Sequence, residues 1–151
     1  MEISASKLNK YLMFKLPSAY MCGVRTTKLT EEFCEVKVKH RWINQNPFNS
    51  MFWAVQGMAA ELTTGALVMS YIRASDKKIS MLVLNNKAHF SKKATGRITF
   101  LCNQGTDVRE AINRTIETGE GQTIWMHAKG IDENGDEVSD FSFEWTLKVK
   151  E

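Results

Sequence analysis

Histidine, cysteine and proline are all scarce in this chain, and each scarcity excludes something. Three histidines stand alone on separate stretches, His40, His89 and His127, so no metal-ligand spacing such as H-E-x-x-H exists and no metal site is expected. Three cysteines, Cys22, Cys34 and Cys102, form no C-x-x-C pair and leave an odd count, which argues against a disulfide framework and for a reducing compartment. Cys34 and Cys102 sit among apolar neighbours and read as core thiols. Two prolines, Pro17 and Pro47, mark changes of pattern rather than a linker, and no repeat or low-complexity stretch appears. No apolar run reaches the roughly 18 residues of a membrane span, and the N-terminus lacks the apolar heart of a secretory signal. A cytoplasmic protein is the expectation. The net charge of +3 is too small to argue for nucleic acid. Glycine-rich phosphate loops and the G-x-S-x-G elbow are absent as well.

What is present is the apparatus of one globular domain over residues 1–151. A hydrophobic content of 43% is enough for a core without staples. Leu8, Tyr11, Leu12 and Leu16 predict a short amphipathic helix ahead of Pro17. A strand over Cys22–Leu29 should pair with a longer one over 33–43, where Cys34, Val36, Val38, His40 and Trp42 share a face. Asn44 to Ser50 is turn chemistry, with Asn49 or Ser50 as N-cap of the helix that follows. That helix, Met51 to about Arg73, is apolar nearly all round and should be buried.

Strands are expected at Ser80–Phe90, Gly96–Asn103, Gly121–Ile131 and Val138–Val149. A helix capped by Thr106 and stopped by Gly119 should precede the third of these. Asp132-Glu133-Asn134-Gly135 reads as a hairpin turn. Antiparallel strands around one buried helix make an α+β domain.

On a helical wheel Glu61 shares a face with Ser50, Ala54, Gly57 and Gly65, the smallest residues of the segment. Each glycine costs the helix about 1 kcal/mol relative to alanine, so room is needed there. A carboxylate on a buried helix is costly unless paired or used. Two readings follow: Glu61 is a working group in a site, or it pairs across an interface while the glycines admit a packing partner.

The run Asn46-Pro47-Phe48-Asn49-Ser50-Met51-Phe52-Trp53-Ala54, followed by Ala60-Glu61-Leu62 and Gly65, resembles the central-helix motif of hotdog-fold acyl-CoA thioesterases, nearest an uncharacterised branch. Lys87-Ala88-His89-Phe90-Ser91-Lys92-Lys93-Ala94-Thr95-Gly96 is similar to the strand-turn-strand segment of the same superfamily. The resemblance implies a hotdog fold, an antiparallel sheet wrapped around a long helix. It implies hydrolysis of an acyl-CoA or acyl-carrier-protein thioester, with Glu61 as general base or nucleophile and Asn46 beside it. Backbone N–H groups of Phe52, Trp53 and Ala54 would receive the carbonyl oxygen. Asn49, Met51, Met58 and Phe90 would line the substrate site, and Lys92, Lys93 and Arg97 would meet phosphates. No cofactor is implied beyond coenzyme A as part of the substrate. A homodimer or dimer of dimers is implied, because hotdog sites usually form between subunits. The better-studied thioesterases carry His-Gly-Gly where this chain has Phe52-Trp53-Ala54. That departure keeps alive a non-catalytic acyl- or lipid-binding alternative. A hydratase of the same fold is a third option, though those enzymes usually add a histidine.

Overall fold

A computed structural model of the chain describes residues 3–151. The chain begins with two helices, α1 (Ala5–Lys15) and α2 (Pro17–Met21), separated at the proline. Ser4 caps α1 by accepting the Lys7 N–H, and Pro17 opens α2, where its missing donor costs nothing. Strands β1 (Arg25–Leu29) and β2 (Cys34–Lys39) follow, then one 3₁₀ turn (Trp42–Asn44) and the long helix α3 (Trp53–Ala74). The second half is β3 (Ile79–Phe90), β4 (Arg97–Cys102), α4 (Gly105–Thr118), β5 (Gln122–Ile131) and β6 (Glu137–Val149). The six strands form one sheet in the order β1-β2-β4-β5-β6-β3, with every neighbouring pair antiparallel.

The core lies where α3 crosses the concave face of this sheet. Val36, Val38, Ile98, Phe100, Met126, Phe141, Trp145 and Leu147 point inward from the strands, at alternate positions along each. Val55, Ala59, Leu62, Ala66 and Leu67 meet them from the helix. Gly57 and Gly65 face β6: a Cβ on Gly57 would sit 3.5 Å from the Phe141 ring, and one on Gly65 would sit 3.2 Å from Trp145. The Trp145 indole is fixed there by donating to Thr64 Oγ1 at 2.9 Å. The glycines therefore admit aromatic rings of this chain, and the packing reading of the small-residue face holds for them.

Four expectations of local structure are corrected. The strand before β2 begins at Arg25, because Cys22 ends α2 and Gly23 turns the chain at φ +88°. β2 ends at Lys39, and Trp42, placed by its alternation on the inner face, is 83% exposed. Asn44 is the cause. Its buried side chain accepts from Arg41 N and donates to the Cys22 and Lys39 carbonyls, which pulls the chain out of the sheet. Helix caps differ too. Phe52, not Asn49 or Ser50, occupies the N-cap of α3, and Asn49 takes the left-handed conformation at φ +57°. Gln104 rather than Thr106 precedes α4, because Gly105 opens that helix hard against the Glu31 carbonyl, where a Cβ would collide. Gly119, at φ +72°, ends α4 as the spacing implied.

Candidate functional site

The N-terminus of α3 opens into a cleft of about 470 Å³ between the turn at residues 46–50 and the β3–β4 connection. Seven of the residues singled out in the sequence meet there: Asn46, Met51, Phe52, Trp53, Phe90, Lys92 and Lys93. The walls are mainly apolar and aromatic. Met51 is buried, Phe90 stands edge-on to Phe141 with centroids 5.6 Å apart, and Phe52 meets Trp53 edge-on at 6.0 Å.

Asn46 builds this cleft. Its Oδ1 accepts the N–H groups of Phe48 (2.9 Å) and Ser50 (3.2 Å), and its Nδ2 donates to Ser50 Oγ and the Met51 carbonyl. An asparagine can fold a turn onto its own side chain in this way. With its amide committed on both sides, Asn46 shapes the cleft. Asn49 supplies the left-handed residue of the same turn and does not line the cleft.

The helix start presents donors. The Phe52 N–H is spent on the Asn44 carbonyl at 2.9 Å, which removes it from the expected set. The N–H groups of Trp53 and Ala54 have no acceptor among the described residues, as the first turn of a helix dictates. One helical turn further in lies Gln56, 4% exposed and lining the cleft, with Oε1 buried and unpartnered. Buried amides are normally satisfied. The sequence reading passed over Gln56, although it is the one amide in the buried helix and could have been noticed on that ground.

Glu61 is elsewhere. It stands eight residues beyond Trp53, about 12 Å along the helix axis at about 1.5 Å per residue. Among the described residues, neither Glu61 nor any other acid lines the cleft. Its carboxyl makes no hydrogen bond or ion pair among the described residues, and burial pushes its pKa above the ordinary carboxyl value. Met58 is packed against the core, and neither Met58 nor Ala54 lines the cleft.

The three expected phosphate-binding cations do not form a cluster. Lys92 is bound at 2.8 Å to both Asp132 and Asp136, tying the cleft rim to the β5–β6 hairpin. Lys93 reaches the Phe48 carbonyl at 3.3 Å and remains exposed at the rim. Arg97 points to the outer face of the sheet. The two buried thiols offer no nucleophile: burial pushes Cys34 up to about 12 and Cys102 to about 11, so neither is a thiolate near neutral pH.

Solved structures share the whole architecture. A Pseudomonas aeruginosa protein named PA5026, Probable Thioesterase, superposes with a TM-score of 0.83 at 19% identity, covering 99% of each chain. A mutant of the thioesterase PA1618 of the same organism gives 0.74 at 12% identity over 99% of this chain and 97% of its own. The thioesterase HI1161 of Haemophilus influenzae gives 0.71 at 11%, over 99% and 93%. The chain is thus a hotdog-fold domain, a six-stranded antiparallel sheet closed around one long helix. No curated protein matches it. It belongs to the DUF4442 family, described as a domain of unknown function, whose family model matches residues 5–147.

Proposed function

We propose that the protein is a homodimeric hydrolase of acyl thioesters, carried on coenzyme A or on an acyl-carrier protein. The observation that carries the reading is the cleft at the start of α3. The unpartnered Oε1 of Gln56 is an acceptor; the donors near this aromatic-walled space are the two unsatisfied N–H groups of Trp53 and Ala54. Such donors, at the positive end of the helix dipole, suit an oxygen that gains negative charge.

A thioester carbonyl oxygen would accept from these N–H groups while the acyl chain lies against Met51, Phe52 and Phe90. Glu61 would take a proton from water, and the water oxygen would add to the carbonyl carbon. The tetrahedral intermediate would then expel the thiolate, breaking the C–S bond, and the thiolate would leave as the protonated thiol. A raised pKa suits Glu61 for that proton transfer near neutral pH. Direct attack by Glu61 on the carbonyl is the other route by which it could serve.

Because Glu61 lies outside its own cleft, the reading assigns the acid to a second protomer. The free edge of β3 supports a dimer. This twelve-residue strand pairs only with β6, and Leu82 and Leu84 on it are 64% and 53% exposed. Long apolar edges seek a partner. Three free cysteines fit the cytoplasm.

A panel of acyl-CoA esters assayed for thiol release tests the reading. Glu61→Gln should fall about 10²–10⁴-fold, the worth of a positioned base, while remaining folded. A stable Glu61→Gln dimer hydrolysing at the wild-type rate would refute the assignment. Absence of an acid from the cleft of one chain also favours a second reading, an acyl-binding domain without turnover. It predicts ligand binding with no thiol release from any ester.

A further inference from the structure

On the outer face of the sheet, at the β1–β2–β4 corner, lies a groove of about 550 Å³. Arg25, Lys37, Lys39, Arg41 and Arg97 line it, and among the described residues no carboxylate does. We propose that this groove binds clustered phosphate groups of a small nucleotide, the arrangement carried by the nucleotide end of coenzyme A. The phosphate chemistry stands on the groove alone; naming the coenzyme rests on the hydrolase reading.

Strand register supplies the first argument. Arg25 lies directly opposite Lys37, and Lys39 directly opposite Arg97, so two pairs of like charges face each other across antiparallel ladders. Such pairs destabilise a sheet. The neighbouring acids relieve little of this. Glu35 reaches Lys37 at 3.6 Å but is also held by the Thr27 hydroxyl, and Glu133 accepts the backbone N–H of Arg97. Lys39, Arg41 and Arg97 have no ion-pair partner among the described residues. An anion in the groove would offset the repulsion.

The groove is also organised in advance. The Arg25 guanidinium stacks on the Tyr20 ring at 3.6 Å and donates to the Tyr20 and Val24 carbonyls, which fixes it without neutralising it. Gly23 lets the Arg41 guanidinium lie over the turn; a side chain at that position would collide with it. Arginines held in this way match phosphate oxygens in charge and geometry.

One feature selects a small ligand. No aromatic ring opens into the groove to stack the bases of a nucleic-acid strand, since Tyr20 is covered by Arg25. In sequence the groove and the cleft are linked by the short segments Arg41–Asn46 and Lys93–Arg97.

Lys39→Glu is the test, because it turns a repulsive cross-strand pair into an attractive one. Calorimetric titration with adenosine 3′,5′-bisphosphate should show wild-type binding that weakens about tenfold or more in Lys39→Glu, with a shallower salt dependence. The variant should melt at a higher temperature. Pyrophosphate binding much more weakly than the bisphosphate would identify the nucleotide as the source of the phosphates. Hydrolysis separates this from the reading it extends. KM for an acyl-CoA should rise in Lys39→Glu, while an acyl-N-acetylcysteamine ester, which has no phosphate, should react as before. Loss of bisphosphate binding in Lys39→Glu with no ester hydrolysed by either protein would sustain the groove and remove the hydrolase. Equal bisphosphate binding by both proteins, no binding by the wild type, or tighter binding of a single-stranded oligonucleotide would overturn the proposal.

Discussion

Alanine at Gly57 and at Gly65 should move stability in opposite directions, although both glycines lie on one face of α3. Removing either glycine contributes about 1 kcal/mol of helix propensity. At Gly57 the new methyl would meet the Phe141 ring at 3.5 Å, an ordinary contact, so most of that gain should appear. At Gly65 it would stand 3.2 Å and 3.4 Å from two Trp145 ring carbons. The indole cannot yield freely, since its N–H is bonded to Thr64 Oγ1 in the core. Overpacking costs about 1–3 kcal/mol and a strained hydrogen bond about 0.5–1.5, so Gly65→Ala should lose about 1–2 kcal/mol net. The same methyl would lie 3.9 Å from Glu61 Oε1 and desolvate the carboxyl further. Thermal unfolding of the two variants beside wild type measures this. The expected separation is several degrees in melting temperature, at about 2–4 °C per kcal/mol for a chain of this size. Two variants that shift together, in either direction, would refute the claim that β6 occupies this face.

Glu61 makes stability pH-dependent. Its carboxyl is raised in the folded chain, so the protonated form is favoured there; the contribution is complete below the ordinary value and fades as pH rises through the raised one. Glu61→Gln should flatten that part of the melting-temperature profile. Gln56→Met should stabilise the fold by removing a buried unsatisfied oxygen, by about 1 kcal/mol, yet lower thioester hydrolysis; unchanged hydrolysis would remove Gln56 from the site. Lys92→Ala should speed hydrogen exchange at the Asp132–Asp136 turn while leaving coenzyme A affinity unaltered, as its two carboxylate partners predict. A thiol reagent should label Cys22 in the folded protein and reach Cys34 and Cys102 only on unfolding.

Elements with long, regular periods were legible in the sequence. The alternation of Phe141, Phe143, Trp145 and Leu147 gave β6 its inner face, and the apolar circumference of α3 announced its burial. Local patterns failed where one distant contact decided the outcome. Trp42 continued the β2 alternation, but Asn44 bonds to Cys22 across the fold and turns the chain away. Thr106 had the chemistry of a cap, yet the close approach of Glu31 fixed the helix start at Gly105. The turn of Asn46 and the walls of the cleft followed from adjacent residues and were readable. The fate of the cations was not, because Lys92 answers to aspartates on another hairpin and Arg97 to the opposite face of the sheet. Glu61 was visible as an unusual acid, but a single chain does not bring it to the cleft.

The position of β6 has a consequence for synthesis. It is the last strand to leave the ribosome, and it alone joins β3 to the rest of the sheet, pairing Ile79 with Val149 and Phe90 with Ser139. Until β6 emerges, β3 has both edges open and the glycine face of α3 lacks the rings of Phe141 and Trp145. Contacts so distant in sequence form slowly, and an uncovered strand meanwhile is open to pairing with another nascent chain. Truncation within β6 would therefore release a chain that is aggregation-prone rather than merely shorter.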